Sequence, residues 1–197
     1  MAIFLSVFIG VATGLAASAL FWFLQAKLLR PKMTICPALT ITKVAEKSSE
    51  THFSCEFKIV NRSRFAAADI TVKANLYMPG FFTDGSNYIF YMRDLTVAWM
   101  DPGADNDFFI GPDYLLRYDD QREYCAKLED RLGESLERLD MPRLMQSCPG
   151  SYVTVFVTSN HAFSGGRSFI RAKFIEKDFT VIDNNVMQHA SADQPGS

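Results

Sequence analysis

One loop of this chain combines a histidine and a serine, the side chains that act as base and nucleophile in acyl transfer. His161 and Ser164 both lie in the segment 160–166. Such a pair needs a third group that orients the histidine, and the segment has no carboxylate for that role. The other two histidines, His52 and His189, are distant in sequence. We therefore interpret the segment as a hairpin loop and expect the protein not to be an enzyme.

Neither the acidic residues nor the cysteines form a metal-binding motif. Asp101, Asp105 and Asp107 have the oxygen ligands that calcium prefers, but they lack the EF-hand spacing and its distal glutamate. We interpret them as a solvated acidic loop. The four cysteines show no CxxC pair and no histidine at zinc-ligand spacing; they are Cys36, Cys55, Cys125 and Cys148. The sequence therefore predicts no metal and no cofactor.

The N-terminal segment has the composition of a membrane anchor. Residues 2–24 include no charged side chain, and about 20 apolar residues suffice to cross a bilayer as a helix. We predict a transmembrane helix over 1–25. No Lys or Arg precedes it, whereas Lys27, Arg30 and Lys32 follow it directly. The positive-inside rule then places the N-terminus outside and the C-terminal domain in the cytoplasm.

A secretory signal is the alternative interpretation of this segment. The small residues at 17–19 form a cleavage site, but the basic n-region is missing and the apolar run continues beyond them. An exported domain would form disulfides and expose the glycosylation sequon at 61–63, whereas a cytoplasmic one would keep free thiols. Cys55 falls on the apolar side of an alternating segment, which favours a core position.

Small residues and basic residues give this anchor two predicted contacts. Ser6, Gly10, Gly14 and Ser18 recur at every fourth position and share one helix face. In lipid, small residues allow close approach of backbones, so we predict packing against another transmembrane helix, of a partner or of a second copy in a homo-oligomer. The linker 26–32 lies where anionic lipids attract cations. We predict that Lys27, Arg30 and Lys32, identified above, bind lipid headgroups.

The remainder of the chain predicts one β-domain over 33–188, with a disordered tail at 189–197. Apolar and polar residues alternate, as in half-buried strands, and a net charge of -2 gives no reason to expect nucleic acid binding. The spacing of short strands and turns favours an antiparallel β-sandwich. Strands are predicted at 53–59, 70–76, 88–92, 95–100, 152–158 and 168–175.

One segment within this domain has helical periodicity. Leucines and a cysteine recur at steps of three and four residues, which predicts an amphipathic helix over about 119–141. Asp120 and Glu123 resemble a capping box, Gly133 weakens the middle of the helix, and Pro142 ends it. We interpret the helix as a lid over an open side of the sandwich; docking of a partner is the alternative.

The order of these features resembles the inner helix and cytoplasmic domain of inward-rectifier potassium channels. The resembling segments are 26–32, with Arg30-Pro31-Lys32; 57–64, with Asn61-Arg62-Ser63-Arg64; 156–158; and 172–174. The resemblance implies an immunoglobulin-like sandwich that assembles and senses ligands, and a linker that binds anionic phosphoinositide headgroups. The family's outer helix, pore helix and Thr-x-Gly-Tyr-Gly filter have no counterpart in this sequence, so the resemblance does not imply a complete potassium channel.

Together these features predict a non-enzymatic single-pass membrane protein whose cytoplasmic domain is an interaction or regulatory module. It would associate through its transmembrane helix and contact anionic lipid. Two alternatives stay open. In the first, the chain is a homo-oligomeric pore-forming or channel-accessory subunit. In the second, it is an exported, membrane-anchored domain with disulfides.

Replacing Gly10 and Gly14 by leucine should weaken helix association, because the added side chains separate the backbones. We expect the wild-type chain to give a crosslinked dimer in membranes and the double variant to lose most of it. The matched control replaces Ala12 and Ala16, which lie on the opposite face of the helix, by leucine. Equal amounts of crosslinked species in all three proteins would contradict the predicted contact.

Overall fold

The computed structural model describes residues 2–28, 30–36, 39–45, 51–162 and 164–182. The predicted tail, 189–197, lies outside the described residues. Within them, a long helix, α1 (Ala2–Leu28), precedes two β-sheets. The strands are β1 (Met33–Ile35), β2 (Leu39–Ala45), β3 (Thr51–Asn61), β4 (Ala67–Met78), β5 (Tyr88–Met100), β6 (Asp105–Ile110), β7 (Tyr152–His161), β8 (Arg167–Phe174) and β9 (Phe179–Ile182).

Helix α1 confirms that the N-terminal segment is one apolar helix. Its part from Ser6 to Leu24 is 19 residues long and apolar enough to cross a membrane, and none of that span is buried within the chain. At 1.5 Å per residue the span covers about 28 Å, close to the roughly 30 Å of a hydrocarbon core. The helix continues for about one turn beyond this span.

The two sheets have different topologies. In the first, β3 is central: β6 pairs with one of its edges, while β1 and β2 pair with different parts of the other. All of these pairs are antiparallel, and β9 extends the sheet by pairing parallel to β2. The second sheet has the order β5-β4-β7-β8 and is antiparallel throughout.

Side-chain alternation explains how both sheets contribute to one core. On β4 the apolar residues are fully buried on one face, while Thr71, Lys73 and Tyr77 lie on the other. Phe57 of β3 stacks on Phe108 with ring centroids 4.8 Å apart and meets Phe174 of β8 edge-on at 5.0 Å. The last contact joins the first sheet to the second.

The segment predicted as two strands, 88–92 and 95–100, is one strand with a bulge. Arg93 pairs with Ala74 and Tyr91 pairs with Asn75, so Met92 is an extra residue on β5. In the sequence, the polar pair at 93–94 separates the two segments that were predicted as strands. In the structure Asp94 faces outward and forms an ion pair with Lys73, at 3.0 Å.

Sequence reasoning missed four strands: β1, β2, β6 and β9. The residues of β6 were interpreted as a solvated acidic loop, and this was wrong. Asp105 and Asp107 lie on the exposed side of β6 and flank Lys58 of β3, at 3.1 Å and 3.6 Å. The hydrogen bond to Asp105 and the charges of both carboxylates raise the pKa of Lys58. Among the described residues, no group of three or more His, Cys, Asp or Glu side chains is placed to hold a metal ion.

The single helix predicted over 119–141 is divided into several short helices. Helix α2 (Arg122–Leu132) ends at Gly133, whose φ of 67° lies in the left-handed region typical of a helix C-cap. Helix α3 (Met141–Gln146) begins after Asp140, whose side chain accepts a hydrogen bond from Arg143 N. Short 3-10 helices occupy Pro112–Arg117, Asp119–Gln121, Leu136–Arg138 and Glu176–Asp178.

These boundaries change the roles predicted for three residues. Gly133 ends α2 and does not lie in the middle of a helix. Pro142 lies in the first turn of α3 and does not stop a helix. Proline fits there because backbone N–H groups in the first turn have no partner within the helix, so the missing N–H costs no bond. The Asp120 capping box does not form, because the N-cap of α2 is Gln121 without a side-chain cap bond. The apolar face predicted for this segment is buried at Cys125, Leu128, Leu136 and Leu139.

Gln121 connects this helical region to the edge of the second sheet. Its side chain is fully buried. The amide oxygen accepts a hydrogen bond from Tyr91 N, at 2.9 Å, and the amide nitrogen donates to Tyr91 O and Leu115 O, at 2.7 Å and 2.8 Å. The glutamine thus pairs with β5 as a neighbouring strand would, at a position next to the bulge.

Replacing Gln121 by alanine should lower the free energy of unfolding by about 3 kcal/mol, because one buried and two partly buried backbone groups lose their partner. The measurement is chemical denaturation of the full chain in detergent, followed by circular dichroism. Gln146→Ala is the control, since that side chain is exposed and its amide donates to the exposed Glu176; we expect a change below about 0.5 kcal/mol. Similar losses in both variants would contradict the role assigned to Gln121.

Candidate functional site

The linker after α1 is docked onto the domain. Arg30 and Lys32 are exposed, whereas the alternating residues Pro31 and Met33 are buried. The carbonyl oxygen of Lys32 accepts a hydrogen bond from Arg62 N, at 2.7 Å. This bond extends the pairing of β1 with β3, in which Met33 lies opposite Asn61. The linker is therefore an extension of the first sheet that turns its cations toward solvent.

Asn61 holds the turn that follows β3. Its side chain is fully buried. The amide nitrogen donates to the carbonyl oxygens of Phe65, Met100 and Asp101, at 3.0 Å, 3.0 Å and 3.2 Å. The amide oxygen accepts from the backbone N–H of Ser63, at 3.0 Å, and from its hydroxyl. An asparagine satisfies this arrangement because one side chain supplies two donors and an acceptor with two lone pairs.

The backbone of Asn61 brings a third segment to the same place. Its N–H donates to Ala104 O at 3.0 Å, and its carbonyl accepts from Gly103 N at 2.8 Å. Gly103 has a φ of 76°, a conformation that glycine adopts without strain. The linker, the turn 62–66 and the turn 101–104 thus meet at one residue.

The structure places two further cations beside those of the linker. We define the basic turn cluster as Arg30, Lys32, Arg62 and Arg64. All four side chains are exposed, and none forms an ion pair with a described carboxylate. Lys27 lies within α1, but its side chain is outside the described part of the structure. Phe65, 39% exposed, adjoins the cluster and packs edge-on against His161 with centroids 5.2 Å apart.

Sequence reasoning identified Arg30 and Lys32 but not Arg62 and Arg64. Both arginines were visible in the sequence, within the segment 57–64. Their position beside the linker depends on the bond between Arg62 N and Lys32 O, which joins residues 30 positions apart in the chain, and no local pattern indicates that contact.

Chain length limits how far this cluster can lie from the end of the helix. Lys32 follows Leu28, the last residue of α1, by four positions, which corresponds to at most about 14 Å of extended chain. The headgroup region of each leaflet is roughly 5–8 Å thick, and charges act over a Debye length of about 8 Å at physiological salt. Arg30 and Lys32, and Arg62 through its bond to Lys32, would therefore lie within electrostatic reach of any bilayer that α1 spans.

The predicted helix-packing stripe is open on α1. Ser6, Gly10, Gly14 and Ser18 are all exposed. A Cβ atom added to Gly10 or Gly14 would meet no other described atom of the chain within 4 Å. The stripe is thus accessible to a second helix along its length.

The His161–Ser164 pair closes the loop between β7 and β8. The Nδ1 atom of the buried His161 accepts a hydrogen bond from Ser164 N at 3.0 Å and lies 2.9 Å from Ser164 Oγ. Two backbone hydrogen bonds also close the loop: Gly165 N donates to His161 O, and His161 N donates to Gly166 O. Because Nδ1 already accepts from a backbone amide, the geometry is that of a stabilised turn.

The four cysteines are free thiols in the structure. Cys55, Cys125 and Cys148 are buried, which confirms the core position predicted for Cys55, and Cys36 is half-buried. Burial raises the pKa of Cys125 to about 11, and burial followed by the charge of Asp140 raises the pKa of Cys55. These thiols therefore stay protonated at neutral pH.

Comparison with models of known protein families and with curated protein sequences gives no match for this chain.

Replacing Asn61 by aspartate should lower the free energy of unfolding by about 3 kcal/mol or more, because a carboxylate oxygen would face three carbonyl oxygens in place of a donor. The full chain is unfolded with denaturant in detergent. Asn87→Asp is the matched control: Asn87 is exposed and uses its oxygen to accept from Gly80 N, so a carboxylate keeps that bond. A loss confined to the Asn61 variant supports the donor network, and equal losses contradict it.

Proposed function

We propose that this chain is a single-pass membrane protein whose β-domain acts by binding, and that the basic turn cluster contacts anionic lipid headgroups. The observation that carries the proposal is the hydrogen bond from Arg62 N to Lys32 O. It adds Arg62 and Arg64 to the cations of the linker, at a distance from α1 that the chain length limits.

Electrostatics favours an anionic surface as the partner of this cluster. A Lys or Arg near an anionic membrane contributes about 1 kcal/mol, so four such cations supply roughly 4 kcal/mol if all reach the headgroups. The four side chains are not neutralised by described carboxylates, and Phe65 offers a partly exposed ring at the same end. This contribution should weaken as salt is added.

The proposed orientation puts the domain in the cytoplasm, following the positive residues after α1. Two observations support it over export. All four cysteines are free thiols. The sequon asparagine, Asn61, is fully buried, and its amide nitrogen already donates to three carbonyl groups, so attachment of a sugar would require the turn to open.

We further propose that the domain is an immunoglobulin-like sandwich, as the resemblance to the channel domain implies. The contact between Phe57 and Phe174 and the single core shared by both sheets support face-to-face packing. In this proposal the sandwich is an interaction or regulatory module that is held at the bilayer.

The open stripe on α1 favours a second candidate, a homo-oligomeric pore-forming or channel-accessory subunit. Gly10 and Gly14 have free space for a neighbouring helix, and such contacts assemble helices in lipid. Ion flux through liposomes that contain the purified chain distinguishes the candidates: flux that depends on Gly10 and Gly14 supports the pore, and its absence supports the binding module.

Lipid selectivity tests the proposed cluster directly. The full chain is reconstituted into bilayers with spin-labelled phosphatidylserine or phosphatidylcholine, and electron paramagnetic resonance measures the motionally restricted fraction of each. We expect the wild type to select phosphatidylserine and Arg62→Gln with Arg64→Gln to lose several-fold of that selectivity, since each cation near the surface contributes about 1 kcal/mol.

Two further variants make this test specific. Replacing Lys27, Arg30 and Lys32 by glutamine should also reduce selectivity, while Arg131→Gln with Arg138→Gln removes two exposed cations elsewhere in the domain and should not. Selectivity that survives the change of Arg62 and Arg64 would exclude the turn from the lipid contact. Equal loss of phosphatidylserine selectivity in the control pair would show that the net charge of the domain, and not the position of the cations, determines the selectivity.

A further inference from the structure

A polar pocket of about 480 Å³ lies on the outer face of the second sheet. Its lining comes from β4, β7 and β8 and consists of Asp69, Thr71, Thr158, Asn160, Arg167, Ser168 and Phe169. We propose that this pocket binds a neutral polyhydroxylated ligand, a sugar ring. The proposal concerns a different site and a different ligand from the basic turn cluster.

A bulge in β4 forms one wall of the pocket. Ala68 pairs with Asn160 and Thr71 pairs with Thr158, so three steps along β4 match two along β7. Asp69 falls within this interval and has a φ of 48°, the only positive φ of a non-glycine residue in the described chain. Aspartate tolerates this conformation better than most residues. Bulges commonly redirect a side chain beside a binding site, and this one places an exposed carboxylate at the pocket.

Hydrogen bonds between side chains orient three polar groups across the strands. Asn160 Nδ2 donates to Asp69 Oδ2 at 3.2 Å, and Arg167 Nε donates to Asn160 Oδ1 at 3.4 Å. Within the described residues each group keeps unused capacity: the second carboxylate oxygen, the second amide hydrogen and the terminal guanidinium nitrogens. The hydroxyls of Thr71 and Thr158 add groups that both donate and accept.

This set of groups fits adjacent hydroxyls better than it fits an ion. The pocket has one carboxylate and one guanidinium, so it has no excess charge to attract an anion or a cation. One sugar hydroxyl can donate to Asp69 while a neighbouring hydroxyl accepts from Arg167, and further hydroxyls can bond the threonines. A few convergent polar groups of this kind determine orientation in small-molecule sites.

Phe169 supplies an apolar surface at the side of the pocket. Its ring is 62% exposed and packs against Phe156, with centroids 5.9 Å apart and planes 31° apart. Arg171 lies over the Phe156 ring, 5.5 Å from its centroid. Phe169 is therefore held by a neighbouring ring while most of its own ring stays exposed at the pocket, where the C–H face of a sugar can pack on it.

The pocket is at the same end of the domain as the basic turn cluster. Asp69 follows Arg64 by five residues, which spans at most about 18 Å. A sugar could therefore reach the pocket from solution or as the headgroup of a membrane glycolipid, and the chemistry of recognition is the same for both.

Saturation-transfer NMR with free glucose tests the pocket on the full chain in phosphatidylcholine nanodiscs. We expect saturation transfer with glucose up to about 50 mM, enough for a site of millimolar affinity. Thr71→Val with Thr158→Val should weaken binding about 5-fold for each hydrogen bond lost, and Phe169→Ala should weaken it too. The control is Thr96→Val, since Thr96 is exposed on β5 opposite Thr71 but does not line the pocket.

The source of the sugar is determined by competition. If monoglucosyl diacylglycerol in the nanodisc suppresses the signal of free glucose, the headgroup occupies the pocket; if it does not, the ligand comes from solution, and both results support a sugar site. Absence of transfer, equal transfer in the wild type and the Thr71/Thr158 variant, or displacement of glucose by inorganic phosphate would overturn the proposal. None of these outcomes depends on anionic lipid, so the two proposals fail separately.

Discussion

The side-chain amide of Asn61 meets a requirement that the backbone cannot meet by itself. Two turns lie at the linker end of the domain, and three of their carbonyl groups, those of Phe65, Met100 and Asp101, point to the side chain of Asn61. A buried carbonyl without a donor costs free energy, so some side chain must supply N–H groups there. Because Asn61 does so while its own backbone bonds Ala104 and Gly103, the linker, the start of β4 and the basic turn cluster all depend on one residue.

A second amide has a comparable role at the far edge of the other sheet. Gln121 pairs with both backbone groups of Tyr91 next to the bulge in β5, and this occupies part of an edge that would otherwise be open to pairing with another chain. The helical region is thereby fastened to the sheet by polar bonds as well as by its leucines. In both places a buried amide joins segments that are distant in sequence, and apolar packing alone would leave their orientation undetermined.

Local patterns predicted the elements of this fold better than their connections. The alternation at 70–76 was informative because β4 has one face fully buried, and the apolar run of α1 needs no tertiary context. In β6, however, Asp105 and Asp107 give the sequence the polar character of a loop. Only the structure shows that Lys58 of β3 lies between them and pairs with both carboxylates. Gly133 and Pro142 were identified in the sequence, but the role of Gly133 depends on where α2 ends and that of Pro142 on where α3 begins. The pairing of Lys32 with Arg62 and the left-handed Asp69 are set by long-range register, which the sequence does not display.

Because Pro31 and Met33 are buried against the domain, the segment that connects α1 to the domain is only a few residues long. A long flexible tether would let the domain explore a large volume, whereas in the proposed membrane-anchored arrangement a span of a few residues confines it to a thin layer above the bilayer. Inside such a layer the effective concentration of membrane-borne groups reaches the millimolar range. Contacts too weak to detect in dilute solution would then be occupied much of the time, and a shallow surface would suffice where a soluble protein would need a deep cleft.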